Sequence, residues 1–228
     1  MLKQWRESFQ SIFVAVIFAL VLRSFVLEAF KIPSGSMIPT LSIGDQIFVN
    51  KYLYGVRVPF TSIRLVEFAQ AKRGEVIVFI CPIEPHQDYI KRVIGIAGDE
   101  IRVRNNRVEI NGVPVKRRPL GPREYNDRDI NSGRWSTEQA EAFEETIDGV
   151  TFTVLQDPAR PGSPGSNFGP FMVPEGHVFV MGDNRDHSYD SRMWGTVPTE
   201  SILGRSLFVW WSWGRDGLST GRLGTWIQ

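Results

Sequence analysis

Runs of apolar residues divide this chain into a long apolar segment near the N-terminus and a series of shorter segments after it. Residues 12–22 are continuously apolar, and a largely apolar stretch, interrupted by Arg23 and Glu28 in its outer third, extends from Phe9 to Phe30. As a helix, these 22 residues would span about 33 Å, which is enough to cross the core of a bilayer. The pattern therefore predicts a single N-terminal transmembrane helix, which we take as a membrane anchor over residues 1–30.

A cleaved signal peptide is the alternative for this segment. Lys3 and Arg6 form a basic start, and residues 12–22 are short enough for the apolar region of such a peptide. The retained anchor is favoured because the full stretch reaches the length of a spanning helix and no clean small-x-small cleavage site follows it. The charges leave the orientation open, since Lys3 and Arg6 before the span face Arg23 and Lys31 after it.

After the anchor, short runs rich in β-branched and aromatic residues predict an all-β core. The predicted strands are Ile47–Val49, Glu75–Ile80, Tyr89–Ile96, Glu100–Arg104, Arg107–Ile110, Val150–Leu155, His177–Met181 and Leu207–Trp211. Residues 52–73 are predicted as an excursion or hairpin, and Thr137–Glu145 as a short helix. The predicted fold class is mainly β, with the transmembrane helix followed by the all-β core.

A change in composition predicts an insertion in this core. From about Lys116 to Pro170 the chain is polar and rich in Gly and Pro, and residues 162–166 form a loop by composition. We therefore predict an inserted, less regular β subdomain at 100–173. It separates two parts of the core, 31–99 and the Trp-rich part 174–228.

The charge balance and the few Cys and His residues exclude several function classes. With 26 Lys and Arg against 25 Asp and Glu, the formal net charge is +1, which argues against nucleic-acid binding. Cys81 is the only Cys, so an intramolecular disulfide is impossible, and its apolar neighbours predict a buried thiol. The His residues lack the spacing of a metal site and no Gly-rich phosphate loop is present, so we expect no metal and no cofactor.

The first candidate catalytic residues lie in the turn 33–37, directly after the apolar segment. Gly35 allows a strained or left-handed backbone, which could present the Ser36 hydroxyl and the Ser36 N–H to one point, as acyl transfer requires. Ser34 could add a second hydroxyl donor on the same side. On its own, however, the Ser-Gly-Ser sequence is better explained as a plain turn.

Lys91 is a candidate base for Ser36. In a strand, Lys91 shares a face with Tyr89 and Val93, while Arg92 points the other way and stays protonated at any working pH. The apolar neighbours could desolvate the amine and lower its pKa enough for it to take the serine proton. The alternative is a solvated lysine on a strand, because lysine is rarely fully buried.

The run 182–192 combines a polar loop with a predicted extended stretch. In that stretch Ser188, Asp190 and Arg192 alternate and face one way, so Asp190 and Arg192 could pair while Ser188 hydrogen-bonds the lysine amine. His187 offers a rival Ser–His–Asp arrangement, with a neighbouring Asp as its orienting group.

Four runs carry a resemblance to a known family. They are PSGSMIPTL (33–41), GDQIFVNKY (44–52), KRVIGIAGD (91–99) and GDNRDHSYDSR (182–192). In this order, after an N-terminal span, they resemble bacterial type I signal peptidases, also called leader peptidases. The resemblance implies a membrane-anchored serine endopeptidase with a Ser–Lys dyad, which removes signal peptides through an acyl-enzyme intermediate. Eukaryotic-type relatives carry His at the base position, so the Lys found here supports the bacterial type.

The resemblance also implies roles for single residues. Ser36 is the implied nucleophile and Lys91 the implied general base, and the Ser36 N–H and the Ser34 hydroxyl form the implied oxyanion hole. Ser188 would orient Lys91, Asp190 and Arg192 would form a supporting ion pair, and Tyr89 would pack on the lysine stem. Pockets for Ala-x-Ala-like cleavage sites would be formed by Ile32, Pro33, Met37, Leu41, Ile47, Val78 and Ile90.

The same resemblance implies a place in the cell. It implies a single-pass protein of the bacterial inner membrane, with the N-terminus in the cytoplasm and residues from about 31 onward in the periplasm. The expected partners are signal-peptide-bearing precursor proteins and the lipid bilayer, with no nucleic acid, and we expect a monomer. Trp210, Trp211, Trp213 and Trp226 suggest contact with the membrane interface, and filling of the core is the alternative.

Two other functions stay open at this point. One is a Ser–Lys maturation peptidase with a narrow substrate set, such as pilus or conjugation precursors. The other is a non-catalytic single-span assembly protein, in which the serine turn only shapes a loop.

Overall fold

The computed structural model describes residues 10, 12–14, 27–57, 64–66 and 68–228. Its strands are β1 (Leu27–Lys31), β2 (Asp45–Asn50), β3 (Val56–Arg57), β4 (Arg64–Val66), β5 (Val76–Ile80), β6 (Asp88–Ile96), β7 (Glu100–Arg104), β8 (Arg107–Ile110), β9 (Val113–Pro114), β10 (Lys116–Arg128), β11 (Trp135–Ile147), β12 (Val150–Gln156), β13 (Phe168–Met172), β14 (His177–Met181), β15 (Val197–Pro198), β16 (Ile202–Gly214) and β17 (Gly217–Leu218). A short helix, α1, covers Ser191–Trp194, and 3-10 turns cover Gly35–Met37, Tyr52–Tyr54, Arg185–His187, Thr199–Ser201 and Thr220–Arg222. The chain is therefore mainly β, as its sequence predicts.

Most strands of the core belong to one antiparallel sheet. In the described part of the chain its order is β1-β2-β16-β5-β6-β14-β15, and β17 pairs with the end of β16. Strand β16 lies between β2 and β5, so the C-terminal part of the chain enters the middle of a sheet that the N-terminal part began. The sheet thereby holds β6, which carries Lys91, against β5, where Ile77 is the cross-strand partner of Lys91.

The strands between β6 and β14 form two further sheets. One has the order β13-β7-β8-β9, and the other has the order β10-β11-β12. A separate two-stranded pair, β3-β4, forms the hairpin predicted within residues 52–73. The inserted region is more regular than its composition predicts, because β10 and β11 each run for 13 residues.

Side-chain alternation along β5 builds a core on both faces of the main sheet. Val76 and Val78 lie in one apolar cluster with residues of β2 and β16, whereas Ile77 and Phe79 lie in another with residues of β6 and β14. All four side chains are buried. A third cluster joins β6 and β14 to the inserted sheets. The catalytic candidates lie where these layers meet.

The predicted N-terminal helix extends too far along the chain. Residues 27–30, which the prediction placed at its end, belong to β1 and pair with β2. Gln10 and residues 12–14 are helical, and the middle of the predicted span, 15–26, lies outside the described residues. Among the residues that are described, no helix is both long and apolar enough to cross a membrane.

The predicted helix at Thr137–Glu145 is wrong, because this segment lies inside β11. Its Ala, Glu and Gln residues favour a helix intrinsically. However, β11 is the middle strand of its sheet and pairs with β10 on one side and β12 on the other. Ala140 and Ala142, two residues apart, are both buried on the packed face. Hydrogen bonding to strands on both sides of β11 outweighs the intrinsic preference for a helix, which is about 0.5 kcal/mol per residue.

The remaining predicted strands are confirmed, although the predicted strand Leu207–Trp211 covers only the middle of the longer β16. Three have the predicted bounds, namely β7, β8 and β14. Cys81 is buried, as its apolar neighbours predict.

Candidate active site

Ser36 and Lys91 meet inside the protein. Ser36 lies in the 3-10 turn Gly35–Met37, and Lys91 lies on β6. The Lys91 Nζ donates a hydrogen bond of 2.7 Å to Ser36 Oγ and a second one of 3.0 Å to the Ile90 carbonyl. The residues are only 8% and 4% exposed, respectively. The candidate nucleophile and the candidate base are therefore in direct contact and almost completely shielded from solvent.

Burial changes the proton affinity of the Lys91 amine. Desolvation lowers the pKa of Lys91 from 10.5 to about 8, although the nearby carboxylates of Asp190 and Asp183 act in the opposite direction. The guanidinium of Arg192 adds to the lowering. With a pKa near 8, about a tenth of the amines are uncharged at pH 7. The solvated-lysine alternative is therefore wrong.

The neighbouring Arg92 points to the other side of β6, as strand alternation predicts. Its guanidinium is fully buried, where it forms a two-bond ion pair with Asp183 and lies 3.9 Å from the centroid of the Phe152 ring. Arg92 also donates to the Gly74 carbonyl, and Thr40 donates to Asp183. This network connects β6 to the loop after Ser36 on the face away from the Lys91 amine.

The carbonyl groups of the serine turn are held by Asn184, a residue without a predicted role. Its side-chain amide donates to the Gly35 carbonyl at 3.1 Å, and its backbone N–H donates to the Ser36 carbonyl at 3.1 Å. Because the peptide between Gly35 and Ser36 is planar and trans, the Ser36 N–H points away from Asn184. That N–H makes no hydrogen bond within the described residues. The half-buried Ser34 precedes the turn in extended backbone.

Gly35 is needed for a different reason from the predicted one. It is absent from the positions with positive φ, so the expected left-handed conformation is wrong. Instead, a Cβ at Gly35 would collide with the carboxylate of Asp127, which reaches the turn from the end of β10. The glycine permits a close approach of the inserted hairpin to the nucleophile turn.

Asp190 and Arg192 form the predicted ion pair. The Arg192 Nε and Nη2 each donate to one Asp190 oxygen at 2.8 Å, and the Gly182 N–H donates to the same carboxylate at 3.0 Å. Burial alone would raise the pKa of Asp190, but Arg192 and the Gly182 N–H hold this pKa below its ordinary value. The carboxylate therefore stays ionised although it is fully buried.

The predicted extended stretch through 188–192 ends earlier than expected. Ser191–Trp194 forms α1, and the Asp190 side chain caps it by accepting from the Arg192 N–H. The Ser188 hydroxyl lies beside Gly182, and it makes no hydrogen bond to Lys91 in the described part of the chain. The backbone turns into a helix here because Asp190 is a good N-cap.

Tyr89 lies on the same face of β6 as Lys91. The Lys91 Nζ is 5.5 Å from the centroid of the Tyr89 ring. The ring hydroxyl donates to Glu84 at 3.0 Å, and burial raises the pKa of Tyr89 to about 12. Tyr89 thus covers part of the lysine side chain with a neutral ring.

His187 is directed away from the nucleophile turn. Its Nε2 lies 3.2 Å from Asp157 Oδ2, and its ring packs edge-on against Tyr125 at 6.3 Å. No contact between His187 and Ser36 is present among the described residues. The geometry therefore favours the lysine arrangement over the rival Ser–His–Asp arrangement. Metal-type clusters of three or more His, Cys, Asp or Glu residues are absent from the described part of the chain.

The apolar residues predicted to form substrate pockets are neighbours in space. Six of the seven lie in or against one apolar cluster beside the serine turn, namely Ile32, Met37, Leu41, Ile47, Val78 and Ile90. Pro33 is exposed at the edge of this cluster. The structure brings these residues together on the side of the turn that faces the main sheet.

Comparison with known proteins agrees with this geometry. Residues 5–211 match the protein family described as "Signal peptidase, peptidase S26". A signal peptidase I of Pseudomonas fluorescens is 40% identical over 221 residues, which cover 92% of this chain and 74% of that protein. A signal peptidase I of Pseudomonas aeruginosa is 38% identical over 215 residues, which cover 90% of this chain and 72% of that protein. Such similarity along most of the chain means that it belongs to the signal peptidase family, peptidase S26, among the bacterial type I members.

Proposed function

We propose that this enzyme removes N-terminal signal peptides from exported precursor proteins, with Ser36 as nucleophile and Lys91 as general base. The observation that carries this proposal is the buried hydrogen bond of 2.7 Å between Lys91 Nζ and Ser36 Oγ. A serine hydroxyl needs a base within hydrogen-bond reach, and the lowered pKa of Lys91, about 8, makes its amine such a base. The relatives named signal peptidase I support the substrate class.

The proposed reaction passes through an acyl-enzyme. The neutral Lys91 amine takes the Ser36 hydroxyl proton as Oγ attacks the carbonyl carbon at the cleavage site. The Ser36 N–H, left free by the Asn184 contacts, and the Ser34 hydroxyl donate to the developing oxyanion. The Lys91 ammonium then protonates the leaving amine, and the C–N bond breaks. In the second half, Lys91 takes a proton from water, whose oxygen attacks the ester, and returns it to Ser36.

The residues around Lys91 have positioning roles in this proposal. The Asp190–Arg192 pair fixes the segment that carries Ser188 beside the serine turn. Ser188 orients the lysine amine by accepting a hydrogen bond from one of its N–H groups, which leaves the lone pair of the neutral amine for the Ser36 hydroxyl. Tyr89 shields the amine from water on the open side. Burial of this kind keeps the pKa of Lys91 low, which is the property that the reaction needs.

The apolar cluster beside the serine turn supplies the proposed specificity. Its proposed pocket residues are Ile32, Pro33, Met37, Leu41, Ile47, Val78 and Ile90. Branched aliphatic walls leave little space between them, so they accept residues as small as Ala and exclude larger ones. The proposed pockets therefore predict a preference for Ala-x-Ala-like cleavage sites.

The membrane part of the proposal rests on the sequence and on exposed tryptophan side chains in the C-terminal part of the chain. A retained anchor before β1, the strand that includes residues 27–30, would hold the enzyme in the inner membrane as a single-pass monomer, with 31–228 in the periplasm. Trp210, Trp213 and Trp226 are exposed by 38%, 60% and 69%, so core filling is wrong for these three. Such amphipathic rings favour the interface of a lipid bilayer.

The division of the chain into parts belongs to the same proposal. We take 31–99 and 174–228 as one catalytic core and 100–173 as an inserted cap. The order of the main sheet supports this division, because its strands come from residues 27–96 and 177–218. The cap then contributes β10 and β11, whose tip reaches the serine turn through Asp127.

Precursor processing by the full chain in detergent micelles tests the proposed function. Ser36→Ala and Lys91→Ala should each abolish cleavage, whereas Ser201→Ala and Lys116→Ala, at positions outside the site, should not. Full cleavage by Ser36→Ala would refute the assignment. Cleavage of several unrelated precursors would separate a general signal peptidase from a maturation peptidase with one dedicated substrate, and absence of any cleavage would favour the assembly protein.

A further inference from the structure

A cavity adjoins the residues that follow the serine turn. Its volume is about 340 Å³. It lies between the loop after the turn, the hairpin formed by β10 and β11, and the segment that includes the β16–β17 turn. We refer to it as the hairpin cleft. None of the proposed catalytic or pocket residues lines it.

The hairpin cleft begins directly beside the nucleophile. Ile38, which follows the Gly35–Met37 turn, forms part of its wall. Asn126 forms another part, and the next residue along β10, Asp127, is the one whose carboxylate approaches Gly35. The wall of the cleft therefore begins two residues after Ser36 in the sequence.

The two residues that follow Ser36 pack into different apolar clusters. Met37 is buried in the apolar cluster of the proposed substrate pockets. Ile38 is buried in a different cluster, with Tyr125 and Leu155 of the inserted sheet. A peptide that places its small residues in the first cluster and its scissile bond at Ser36 must continue past the turn. The open space that it meets there is the hairpin cleft.

We propose that the hairpin cleft binds the segment of the precursor that follows the scissile bond, which becomes the N-terminus of the mature protein. This inference rests on the proposed function. Its volume of about 340 Å³ is in the range of peptide-side-chain and small-ligand sites, about 300–1,000 Å³. It therefore accommodates a short extended segment rather than a folded domain.

The lining of the cleft suits a segment of variable sequence. Tyr125 and Trp135 provide aromatic surface, and Arg123 and Asp216 add exposed charges of both signs. Arg215 crosses the cleft, because its Nη1 donates to Asn126 Oδ1 at 3.2 Å and to a threonine hydroxyl of β11 at 3.1 Å. Both partners are neutral and Arg215 forms no ion pair among the described residues, so its guanidinium can bind carbonyl or carboxylate groups of the bound segment. This mixed lining selects for no single side chain, as a segment of variable sequence requires.

Site-specific photo-cross-linking tests the proposal directly. The full chain carries Ser36→Ala, so that the bound precursor stays intact, and Trp135→benzoylphenylalanine in the cleft. The matched control carries Leu120→benzoylphenylalanine, at an exposed position of β10 that does not line the cleft. We expect cross-links from position 135 to the first few residues after the cleavage site, and none from position 120. Cross-links from position 135 to the signal peptide, or none while the precursor still binds, would overturn the proposal.

Kinetics supply a second readout. Arg215→Ala should change the ratio of kcat/KM between precursors that differ only after the cleavage site, by about two- to fivefold. It should leave the ratio unchanged between precursors that differ only at the small residues before that site. Arg118→Ala, on the same strand as Arg123 but outside the cleft, is the control. An equal loss for all precursors would contradict a role in binding this segment. If the unmodified enzyme cut no precursor, the proposed function itself would fail.

Discussion

Lys91 Nζ donates to Ser36 Oγ at 2.7 Å, across 55 positions of the sequence. A protonated amine can only donate in this contact, whereas the reaction requires the reverse, with the hydroxyl donating to a neutral amine. The same contact therefore describes a resting state and an active state that differ by one proton. The pKa of Lys91, about 8, sets the pH at which one state replaces the other.

The first prediction concerns the pH dependence of cleavage. kcat/KM for a signal-peptide substrate should rise with pH through about pH 8, because only the neutral Lys91 amine can take the serine proton. Lys91→Ala should have no measurable cleavage at any pH. His187→Ala should keep the same rising limb, because His187 contacts Asp157 and not Ser36. A limb that disappears in His187→Ala would contradict the lysine mechanism.

The second prediction concerns the free energy of unfolding. Burial lowers the pKa of Lys91 from 10.5 to about 8, so the unfolded chain binds more protons than the folded chain between these pH values. The stability of the unmodified protein should therefore rise with pH across this window. Lys91→Met should be more stable below pH 8 by at most about 3 kcal/mol, and the difference should shrink toward pH 10.

Denaturant unfolding of the full chain in micelles, followed by Trp fluorescence, measures this difference at several pH values. Lys116→Met, at an exposed position of β10, is the matched control and should show no pH-dependent gain. A Lys91→Met protein that is no more stable than the original at pH 7 would mean that the buried amine carries no desolvation cost.

A strand could be predicted from sequence where its own residues favour a β-strand, and not where only its neighbours make it one. Strands β5 and β14 are nearly continuous runs of β-branched and aromatic residues, so their burial on both faces could be predicted. The segment 137–145 of β11 has the composition of a helix, and only its partners β10 and β12 make it a strand. No pattern within the segment contains that information.

The candidate site shows the same limit. Ser36 and Lys91 could be predicted because their sequence runs resemble those of a family and because β6 alternates regularly. The role of Asn184 could not be predicted, because Asn184 binds backbone carbonyl groups. Every residue has such a group, so the sequence does not indicate which one is bound. Asp127 is also invisible in sequence, since its approach to Gly35 depends on how the inserted hairpin folds over the turn.

The third prediction concerns Gly182, which lies between two parts of the site. A Cβ at this position would collide with the Ser188 hydroxyl and with the backbone carbonyl of Ser36. Because the carbonyl cannot rotate away, Gly182→Ala should lower the free energy of unfolding by about 1–3 kcal/mol and reduce kcat. Gly221→Ala is the control, since its Cβ would meet nothing within 4 Å and its φ is not positive.

Thermal unfolding and cleavage rates of the two alanine variants check this prediction. Gly221→Ala should match the original protein in both measurements. Gly182→Ala with full activity and unchanged stability would show that the serine turn and the Ser188 segment separate easily, and the proposed positioning of Ser188 would then be wrong.

The fourth prediction compares two adjacent glutamates of β11. Glu145 is 1% exposed and forms a two-bond ion pair with the equally buried Arg185, at 3.2 and 2.5 Å. This pair joins the inserted sheet to the turn that precedes Ser188. Glu145→Gln would leave the guanidinium buried without a counter-charge, so it should cost about 3–5 kcal/mol of unfolding free energy.

The neighbouring Glu144 is the matched control for this change. It pairs with Arg118 at 3.1 Å on the solvent side of the same strand. Water screens that pair, so Glu144→Gln should change the stability little. Removing both partners in Glu145→Met with Arg185→Met should recover much of the loss, because no unpaired charge then remains buried. If the double variant were as unstable as Glu145→Gln and equally slow in cleavage, the pair would act through shape rather than charge. Denaturant midpoints and kcat/KM for all four proteins distinguish these outcomes.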